Sequence, residues 1–446
     1  MTAVKPLDLA FVSEAVADQR SRDLGEPDWL REERIAAARL VATLPAETNP
    51  LYTSYIDLRP ARFGEIELYG SAGVAPGGDD ELPDGASAFL HVREDAIVAR
   101  AISPVARDAG IFLGTFEEAL RERPEALRKA IEGGASLPAD DAFGQVARAV
   151  SALGLFIHVP EGLTLAAPIV LRWDLGTAGR GIVSRTVVSL ERGAQASILE
   201  VQGDADSREG GAQSLWWGTA EVLLGEGAAL SVAAEQDFDA STLAFVNRHA
   251  RIGRDASLNL ALASVGGRLH KSRIDNLLLG DRSSVEQVEI GFGADEQLFD
   301  LTSYTRHIGR DTTGNLLSKG VFTGRSRGFI KGLITIDKTA VGTDSFLGEF
   351  GMLLTKKARS VTIPSLEIDQ PDCRRVAHSS SVGPIDESQI FYLMSRGLDR
   401  ETARKFIVMG FLEPVVARIP LPEAQDRLRE LLERKWPSAA PVVAAA

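Results

Sequence analysis

The sequence predicts a mainly β protein whose core is a β-solenoid, with helical regions before and after it. From about residue 141 to residue 368 the chain consists of short β-type apolar runs separated by Gly, Asp and Arg turns. Within this stretch a pattern of apolar residue, turn pair, small residue and apolar residue recurs, starting at residues 190, 224, 252, 279 and 308. Repeats of this length, built from strands and tight turns, stack as coils that each bury an apolar face on the next.

A β-sandwich is the alternative, because its turn signals also come at regular spacing. The nearly constant repeat favours the solenoid, and so does the scarcity of Asn-Gly and Asp-Gly pairs, which mark two-residue hairpins. A solenoid has exposed ends that other elements must cover, which gives the helices a structural role. The predicted organisation is a mostly helical N-terminal region with a short hairpin (1–140), a β-solenoid core (141–368), a C-terminal helical domain (369–437) and a disordered tail (438–446).

The N-terminal region opens with two predicted helices, Leu7 to Ala17 and Trp29 to Leu44, because apolar residues recur there at helical spacing. The Gly- and Asp-rich stretch from Ser71 to Gly85 is typical of a surface loop. After it, alternating residues in Ala88 to Val92 and Ala96 to Ala101 predict a short hairpin.

A further helix is predicted from Thr115 to Ile131. It opens with Thr115 and Glu118, a capping box in which each side chain bonds the backbone of the other residue. Pro124 should kink this helix or divide it in two, since proline lacks the N–H that a helix interior needs.

The C-terminal domain contains a predicted helical hairpin. Asp386 precedes an apolar cluster, the first helix stops at Arg396-Gly397, and a second helix runs from Asp399 to Gly410. A last helix, Pro422 to Lys435, places Ala424, Leu428, Leu431 and Leu432 on one side. The apolar face of the hairpin either caps the core or docks a partner protein as a helix in a groove.

Composition excludes several classes of function. The chain has 446 residues and a net charge of −13, which argues against nucleic-acid binding because phosphate contacts need a basic face. Its single cysteine cannot form an internal disulfide or supply the four thiolates of an ordinary iron–sulfur cluster. We find no signal peptide and no membrane span, so we expect a cytoplasmic protein. Phosphate-loop, HExxH and GxSxG motifs are absent, so we expect no enzymatic activity and no catalytic residues.

Several motifs together resemble one family. They are PSLEID at Pro364–Asp369, His378, VGPIDESQIFYLMSRGL at Val382–Leu398, and Gly410-Phe411. In this order and spacing they resemble the C-terminal signature of the SufB/SufD family, scaffold subunits that assemble iron–sulfur clusters together with the ATPase SufC. The stretch from Gly154 to Ile368 also resembles the family core, and Pro27-Asp28-Trp29-Leu30 followed by Arg34 its helical opening.

The resemblance implies a right-handed parallel β-helix and a place in a larger complex. The partners it implies are a SufB-type scaffold and a SufC-type ATPase in a hetero-oligomer; whether the chain alone forms a homodimer stays open. Neither a nucleic acid nor a membrane is an expected partner. SufB-type chains have a glutamate and a cysteine where this chain has Ser379 and Ala358, so it is most like SufD. Two segments depart from the usual SufD pattern, Val376-Ala377-His378-Ser379 and Leu347-Gly348-Glu349-Phe350.

His378 is the strongest candidate for metal chemistry, since by resemblance it occupies the histidine position that SufD-type subunits place at the SufB interface. A neutral imidazole is a competent iron ligand. The alternative is a hydrogen-bonded structural histidine. Cys373 lies five residues earlier, and a Cys and a His make half of a zinc site, although a lone thiol is more often a small hydrophobe. His307 is interpreted as a solenoid turn residue.

The resemblance also implies that the helical hairpin docks SufC. The residues it assigns to that surface are Phe391, Tyr392, Met394, Arg396, Gly397, Phe406, Gly410 and Phe411. We expect no cofactor stably bound by the chain alone, but a transient iron–sulfur cluster or iron at the SufB interface; flavin binding stays open. The alternatives are a β-helix enzyme acting on carbohydrate or acyl groups, which needs acids or a histidine along a groove, and a SufB-like scaffold or structural adaptor without metal chemistry.

Overall fold

The computed structural model of the chain describes residues 6–70, 73–74, 81–132, 138–175, 177–204, 211–419 and 421–439. Its α-helices are α1 Glu14–Asp23, α2 Asp28–Thr43, α3 Pro104–Asp108, α4 Phe116–Glu122, α5 Pro124–Ala130, α6 Ala142–Val150, α7 Glu387–Ser395, α8 Arg400–Val416 and α9 Pro422–Ala439. The strands before the repeating part are β1 Glu67–Leu68, β2 Gly73–Val74, β3 Ala88–Arg93, β4 Ala96–Ile102 and β5 Phe112–Thr115. The repeating strands are β6 Leu153–Val159, β7 Ile169–Leu175, β8 Arg180–Leu190, β9 Gln195–Asp204, β10 Ser214–Leu224, β11 Ala229–Asp237, β12 Thr242–Ile252, β13 Ser257–Ser264, β14 Leu269–Leu278, β15 Ser284–Gly293, β16 Leu298–His307, β17 Thr313–Phe322, β18 Arg327–Ile336, β19 Asp344–Leu353, β20 Arg359–Ile368 and β21 Arg375–Pro384.

The repeating strands form a parallel β-solenoid of about eight coils. Even-numbered strands make one sheet, in the order β20 back to β6, and odd-numbered strands make the other, in the order β7 to β21. Each coil contributes one strand to each sheet, and the side chains between the two sheets form the core. The predicted mainly β solenoid with helices at both ends is confirmed.

The turns that predicted the solenoid are stacked on one another. All five join an even-numbered strand to the next odd-numbered one, and each contains a residue with positive φ. These residues are Gly193, Gly227, Asp255, Arg282 and Asp311, with φ between 55° and 67°. In successive turns the Arg282 guanidinium makes two 2.6 Å bonds to the Asp255 carboxylate. The same tight turn therefore repeats along the solenoid. The first two turns have Gly at the positive-φ position, and the later three have a charged residue there that pairs with a neighbouring coil.

The N-terminal helices cover the outer face of the even-stranded sheet. Phe143 of α6 packs against Trp217 and Phe245, with ring centroids 5.3 and 5.2 Å away. The Trp217 indole N–H also donates to the Phe143 carbonyl at 2.9 Å. Its neighbour Trp216 faces the other way, into the core between the sheets. The two adjacent tryptophans therefore pack on opposite sides of their strand.

Buried ion pairs fix the same helices to the sheet. Arg185 of β8 lies between Glu33 of α2 and Glu221 of β10, at 2.9 and 2.5 Å. Glu33 is also paired with Arg148 of α6 at 2.5 Å. Burial would raise the pKa of Glu33, but the two arginines outweigh it and lower the pKa to about 2. The carboxylate is thus charged at neutral pH, and its loss would leave two arginines short of a partner.

Several local predictions for the N-terminal region are confirmed. The hairpin is β3 and β4, which pair antiparallel. The Thr115 and Glu118 capping box is present, and Pro124 divides the predicted helix into α4 and α5. The helix predicted from Trp29 is α2.

Two predictions for this region are wrong. The first helix begins at Glu14, after Ser13 accepts a bond from the Val16 backbone, and not at Leu7. Leu7 instead packs in the core as part of a non-helical segment. Residues 142–150 form helix α6 rather than solenoid, because eight of them are buried under α2 and the sheet. The surface loop predicted at 71–85 lies largely outside the described residues.

The C-terminal region also differs from the prediction in two respects. Strand β21 lies inside the segment 369–437 that was predicted to be helical, and it completes the last coil. Helix α8 continues past Gly410 to Val416 and includes Pro414. Helix α9 buries the four predicted residues Ala424, Leu428, Leu431 and Leu432, which confirms its apolar side. Residues 440–446 of the predicted tail lie outside the described part of the chain.

Candidate partner interfaces at the C-terminal end

The ends of the helical hairpin α7–α8 are fixed by local hydrogen bonds. Asp386 accepts from the Ser388 backbone N–H at 2.8 Å, and Asp399 accepts from the Thr402 N–H at 3.0 Å. Between the helices Gly397 has a φ of 99°, which a residue with a side chain rarely adopts. The caps and the turn predicted from the sequence are therefore present, and they hold the two helices in a defined arrangement.

One face of the hairpin anchors it to the solenoid. This face is apolar and packs on the outer side of the odd-stranded sheet together with α9; its buried members are Ile390, Ala403, Val408, Leu412, Val415 and Val416. Two cations add directed contacts from both sides. The Arg404 guanidinium donates to the Leu354 carbonyl at 3.3 Å, and the Lys319 ammonium donates to the Phe411 carbonyl at 2.5 Å.

The opposite face exposes aromatic and apolar side chains. Phe391 is 74% exposed, Phe406 66%, Tyr392 56% and Met394 41%. The Arg396 guanidinium lies 5.2 Å from the centre of the Tyr392 ring, so it extends the same surface with a cation. We call these five residues the aromatic face. Large apolar side chains exposed together, beside a well-packed anchor, mark an interaction surface.

The other residues of the predicted docking set lie around this face. Gly397 and Gly410 are exposed, and a Cβ added at either would meet no atom within 4 Å. Phe411 is partly buried, with the Lys319 ammonium 4.5 Å from its ring centre. Phe411 thus belongs to the contact between hairpin and sheet more than to the exposed surface.

The second feature of this end is the open edge of the solenoid. Strands β20 and β21 are the last in their sheets, and each is paired on one side only among the described residues. Most of their residues are half-buried or exposed, unlike those of the inner strands. Ile368 and Val382 are exposed apolar residues on these strands. Unpaired parallel edges present backbone N–H and C=O groups that another strand can bind.

His378 lies in the middle of β21 on this open edge. Its ladder partner is Leu347, which is buried between the sheets, so His378 occupies a core-facing position that no further coil covers. The side chain is exposed, and the described residues offer it no hydrogen bond or ion pair. The adjacent Ser379 faces the outside of the sheet, opposite Gly348.

Cys373 lies in the turn between β20 and β21 and is partly buried. Its thiol donates to the Gln370 carbonyl at 3.1 Å, and it packs beside the cluster that contains Leu347. Burial and the neighbouring Asp372 raise the pKa of the thiol, which lowers the fraction of thiolate. Across the described residues, no three or more His, Cys, Asp or Glu side chains are grouped so that they could hold a metal ion.

Just inside the open edge lie two buried carboxyl groups that sequence reasoning did not identify. Glu289 of β15 and Glu349 of β19 face the core on the same column, with Ser318 of β17 between them. Burial raises the pKa of Glu349 to about 8 and that of Glu289 to about 7. Glu349 accepts from the Ile363 N–H at 2.9 Å, and Gly332 leaves the room that its carboxyl group needs. Glu349 is therefore largely protonated at neutral pH, and Glu289 is about half protonated.

The interpretation of His307 as a turn residue is wrong. It is the last residue of β16, is fully buried, and bonds the Thr312 and Ser345 hydroxyls at 2.8 and 3.1 Å. Burial lowers its pKa to about 4, so it is neutral. The position is a core position in which two hydroxyls satisfy both ring nitrogens.

Comparison with known proteins agrees with this architecture. Residues 174–411 match the family model described as SUF system FeS cluster assembly, SufBD core domain, which spans the solenoid from β7 to the hairpin. The chain belongs to the SufBD family. A SufBD family protein of Staphylococcus epidermidis is 24% identical over 441 residues, covering 94% of this chain and 92% of the relative. The iron–sulfur cluster assembly protein SufD of Bacillus subtilis is 25% identical over 425 residues, covering 92% and 94%.

This SufBD family member is SufD-like, as the motifs at the C-terminal end predicted. The model match includes both features of that end, the open edge of the solenoid and the hairpin with its aromatic face. Among the described residues, no helix is long and apolar enough to span a membrane.

Proposed function

We propose that this SufBD family protein is a SufD-type scaffold subunit that pairs with a SufB-type scaffold and docks a SufC-type ATPase, without catalysing a reaction alone. The observation that carries the proposal is the presence of two distinct exposed surfaces at one end of the molecule. One is the backbone edge of the last coil, and the other is the aromatic face.

Pairing with a second solenoid is supported by the free edges of β20 and β21. A partner strand that adds to such an edge gains main-chain hydrogen bonds, and its side chains then cover the core-facing positions of the last coil. A second scaffold of the same fold presents two edges with matching separation, so one contact pairs both sheets. The proposed interface is therefore solenoid to solenoid, and it buries His378.

Docking of the ATPase is supported by the composition of the aromatic face. Aromatic residues, Met and Arg are the residue types enriched where proteins bind each other. Phe391 and Phe406 lie on the two helices of a capped hairpin, so their positions are fixed before a partner arrives. A partner groove of apolar character would fit this pair of helices.

We further propose that His378 is a ligand to the cluster or iron that the complex assembles. Its imidazole is exposed at a core-facing position of the open edge, where a second scaffold would contribute further ligands. Because the described part of this chain lacks a complete metal-binding group, the remaining ligands come from the partner in this proposal. Cys373 is a less suitable ligand, since its thiol is hydrogen-bonded and its pKa is raised.

In this proposal the protein is a non-enzymatic subunit of a cytoplasmic complex. A β-helix enzyme would need free acids or a histidine along a groove. On the outer face of the even-stranded sheet, the Asp275 carboxylate is already bound to Arg273 and His249 at 2.9 and 3.0 Å. These groups support the fold and do not offer the pair of free acids that such an enzyme requires.

Coexpression tests the proposal directly. The chain is produced with the SufB-type and SufC-type proteins of its own organism, and the mass of the copurified complex is measured by native mass spectrometry. We expect one copy of each scaffold and two copies of the ATPase. A chain that elutes alone under these conditions contradicts the proposed function.

The role of His378 is tested in the same complex with His378→Ala. We expect the complex to assemble with unchanged mass but to form clusters more slowly, measured by iron and sulfide content and by visible absorption. Ser379→Ala is the matched control, because it alters the adjacent side chain on the outer face of the same strand. Equal cluster formation in His378→Ala and in the control removes His378 from the mechanism.

A further inference from the structure

A groove runs along the outer face of the even-stranded sheet, on the other sheet from the hairpin, and reaches the edge strand β20 at one end. It encloses about 850 Å³, between the sheet and the segment from Thr48 to Leu51. Side chains of four successive even strands, β12 to β18, form its floor, and Glu367 of β20 lies at one end. This volume is in the range of small-ligand sites.

The strand register fixes the order of groups on the floor. One column across the strands reads Arg251, Leu277, Arg306, Thr335 and Glu367. Adjacent strands are about 4.8 Å apart, so Arg251 and Arg306 are separated by about 10 Å, with Leu277 between them. The column therefore has a cation at the Arg251 end, the apolar Leu277 beside it, a second cation at Arg306, and an anion at the Glu367 end.

Most of the charged groups in the groove already have partners. Arg306 makes two bonds to the Asp337 carboxylate, at 2.8 and 2.9 Å, and Arg148 pairs with Glu33. His249 lies between two aspartates. Burial would lower the pKa of His249, but Asp275 and Asp141 raise it to about 9, so this side chain is also cationic. Arg251, by contrast, has no ion pair among the described residues.

Apolar surface completes the groove. Leu51 is 46% exposed on its wall, which is unusual for a large apolar side chain, and Leu277 and Leu333 form part of the floor. The Tyr304 ring lies against the Arg273 guanidinium, 4.7 Å from the ring centre. An apolar wall next to a cation without a carboxylate is the composition of a site for an amphipathic anion.

We propose that this groove binds an organic anion that carries a phosphate or carboxylate group on an apolar body. Arg251 binds the anionic group, and Leu51, Leu277 and Leu333 contact the apolar body. Glu367 repels negative charge at the far end, which fixes the direction of the ligand. The residues that contact the ligand lie on β12, β14, β18 and the segment from Thr48 to Leu51, so these contacts do not require the proposed pairing at the edge; only Glu367 lies on β20.

The test is a titration of the full chain with 1-naphthyl phosphate, 1-naphthoate and uncharged 1-naphthol, followed by ligand fluorescence. We expect saturable binding of at least one of the two anions with a Kd of about 1 mM or below, and binding of 1-naphthol at least about tenfold weaker. The better of the two anions identifies the acidic group that the site prefers. No saturable binding of either anion overturns the proposal.

Two variants and two matched controls locate the site. Arg251→Gln and Leu51→Asp should each weaken binding of the anion about tenfold or more, because one removes the cation and the other places a negative charge in the wall. Arg325→Gln and Val105→Asp alter an exposed arginine and an exposed apolar residue outside the groove, and should change the Kd less than about twofold. Thermal unfolding confirms that all four variants are folded. Equal affinity in Arg251→Gln and wild type contradicts the assignment.

Discussion

The helices at the two ends of the chain both pack on an outer face of the solenoid, but they do so in different ways. The N-terminal helices bury aromatic rings and paired charges, such as Phe143 and the Glu33–Arg185 pair, against the even-stranded sheet. The C-terminal hairpin buries mainly aliphatic residues against the odd-stranded sheet and exposes its aromatic residues. Aromatic side chains thus hold the fold together at the N-terminal end, whereas those of the aromatic face remain free of it.

This contrast separates stability from recognition. A face that already satisfies its rings and charges has little to offer a partner, while the aromatic face and the open edge gain contacts only when another chain binds. Substitutions at the N-terminal end should therefore change the free energy of unfolding. Substitutions at the C-terminal end should change assembly.

The largest expected difference is between two alanine substitutions, one of an aromatic residue at each end. Phe143→Ala removes a ring that is 2% exposed and packed on Trp217, and should lower the free energy of unfolding by about 3–5 kcal/mol. Phe391→Ala removes a ring that is 74% exposed and should change it by less than about 0.5 kcal/mol. Urea unfolding followed by circular dichroism measures both.

In an assembly assay, by contrast, the substitution at the C-terminal end should have the large effect. Phe391→Asp should abolish binding of the SufC-type ATPase while the isolated chain stays folded, because it places a charge at the centre of the aromatic face. The control Asp28→Ala, a helix α2 position distant from the hairpin, should bind normally. Binding retained by Phe391→Asp would move the docking site elsewhere, and unfolding of this variant would mean that the aromatic face belongs to the core.

The sequence was most informative where structure is determined locally. The solenoid turns could be identified because each needs a residue that tolerates positive φ, and Gly193, Gly227 and Asp255 come at matching positions of the repeat. The caps of the hairpin were visible for the same reason, since Asp386 and Asp399 bond backbone groups only two or three residues away. These features need no knowledge of the rest of the fold.

Features that depend on distant residues were missed. Strand β21 has little apolar character, and its conformation follows from pairing with β19, thirty-one residues earlier at each position of the ladder. Helix α8 continues past Gly410 because Leu412, Val415 and Val416 are buried against the sheet, which offsets the low helix propensity of glycine. To predict the groove that contains Arg251 and Arg306, one would have to know the exact length of the two coils that separate these residues. Periodicity alone does not supply these distances.

The free energy of unfolding should depend on pH in opposite ways for one carboxyl group at each end. This effect should be smaller than the previous ones. The pKa of Glu33 is lowered to about 2, so the stability it contributes is present above its unfolded pKa of about 4.5 and is lost as pH falls toward 2. The pKa of Glu349 is raised to about 8, so its contribution is present below about 4.5 and is lost as pH rises through 8. The two groups therefore give slopes of opposite sign in different pH ranges.

Glu349→Gln and Glu33→Gln test these slopes, with urea midpoints measured from pH 3 to pH 9. Wild type should lose stability between pH 5 and pH 8.5, and Glu349→Gln should lose less. At the upper end of this range the variant should be more stable than wild type by on the order of 1–3 kcal/mol. Glu33→Gln should instead flatten the acid side and lower the midpoint above pH 4.5 by a constant amount, with no change in slope on the alkaline side. Parallel curves for wild type and Glu349→Gln would show that this carboxyl group is not held protonated by the fold.

The smallest effects should come from the two exposed glycines of the hairpin. Gly397→Ala forces a residue with a Cβ into a φ of 99° and should destabilise the chain by about 1 kcal/mol or more. Gly410→Ala adds a methyl group within helix α8, where no atom lies within 4 Å, and should stabilise it by about 0.4–1 kcal/mol. Thermal unfolding measures both shifts.

If Gly410 is part of the docking surface, the more stable Gly410→Ala variant should nevertheless bind the ATPase more weakly, because a methyl group then lies between the helix and its partner. Unchanged affinity would restrict the docking surface to the aromatic face, and a loss of stability would mean that the helix needs glycine at this position for its own packing.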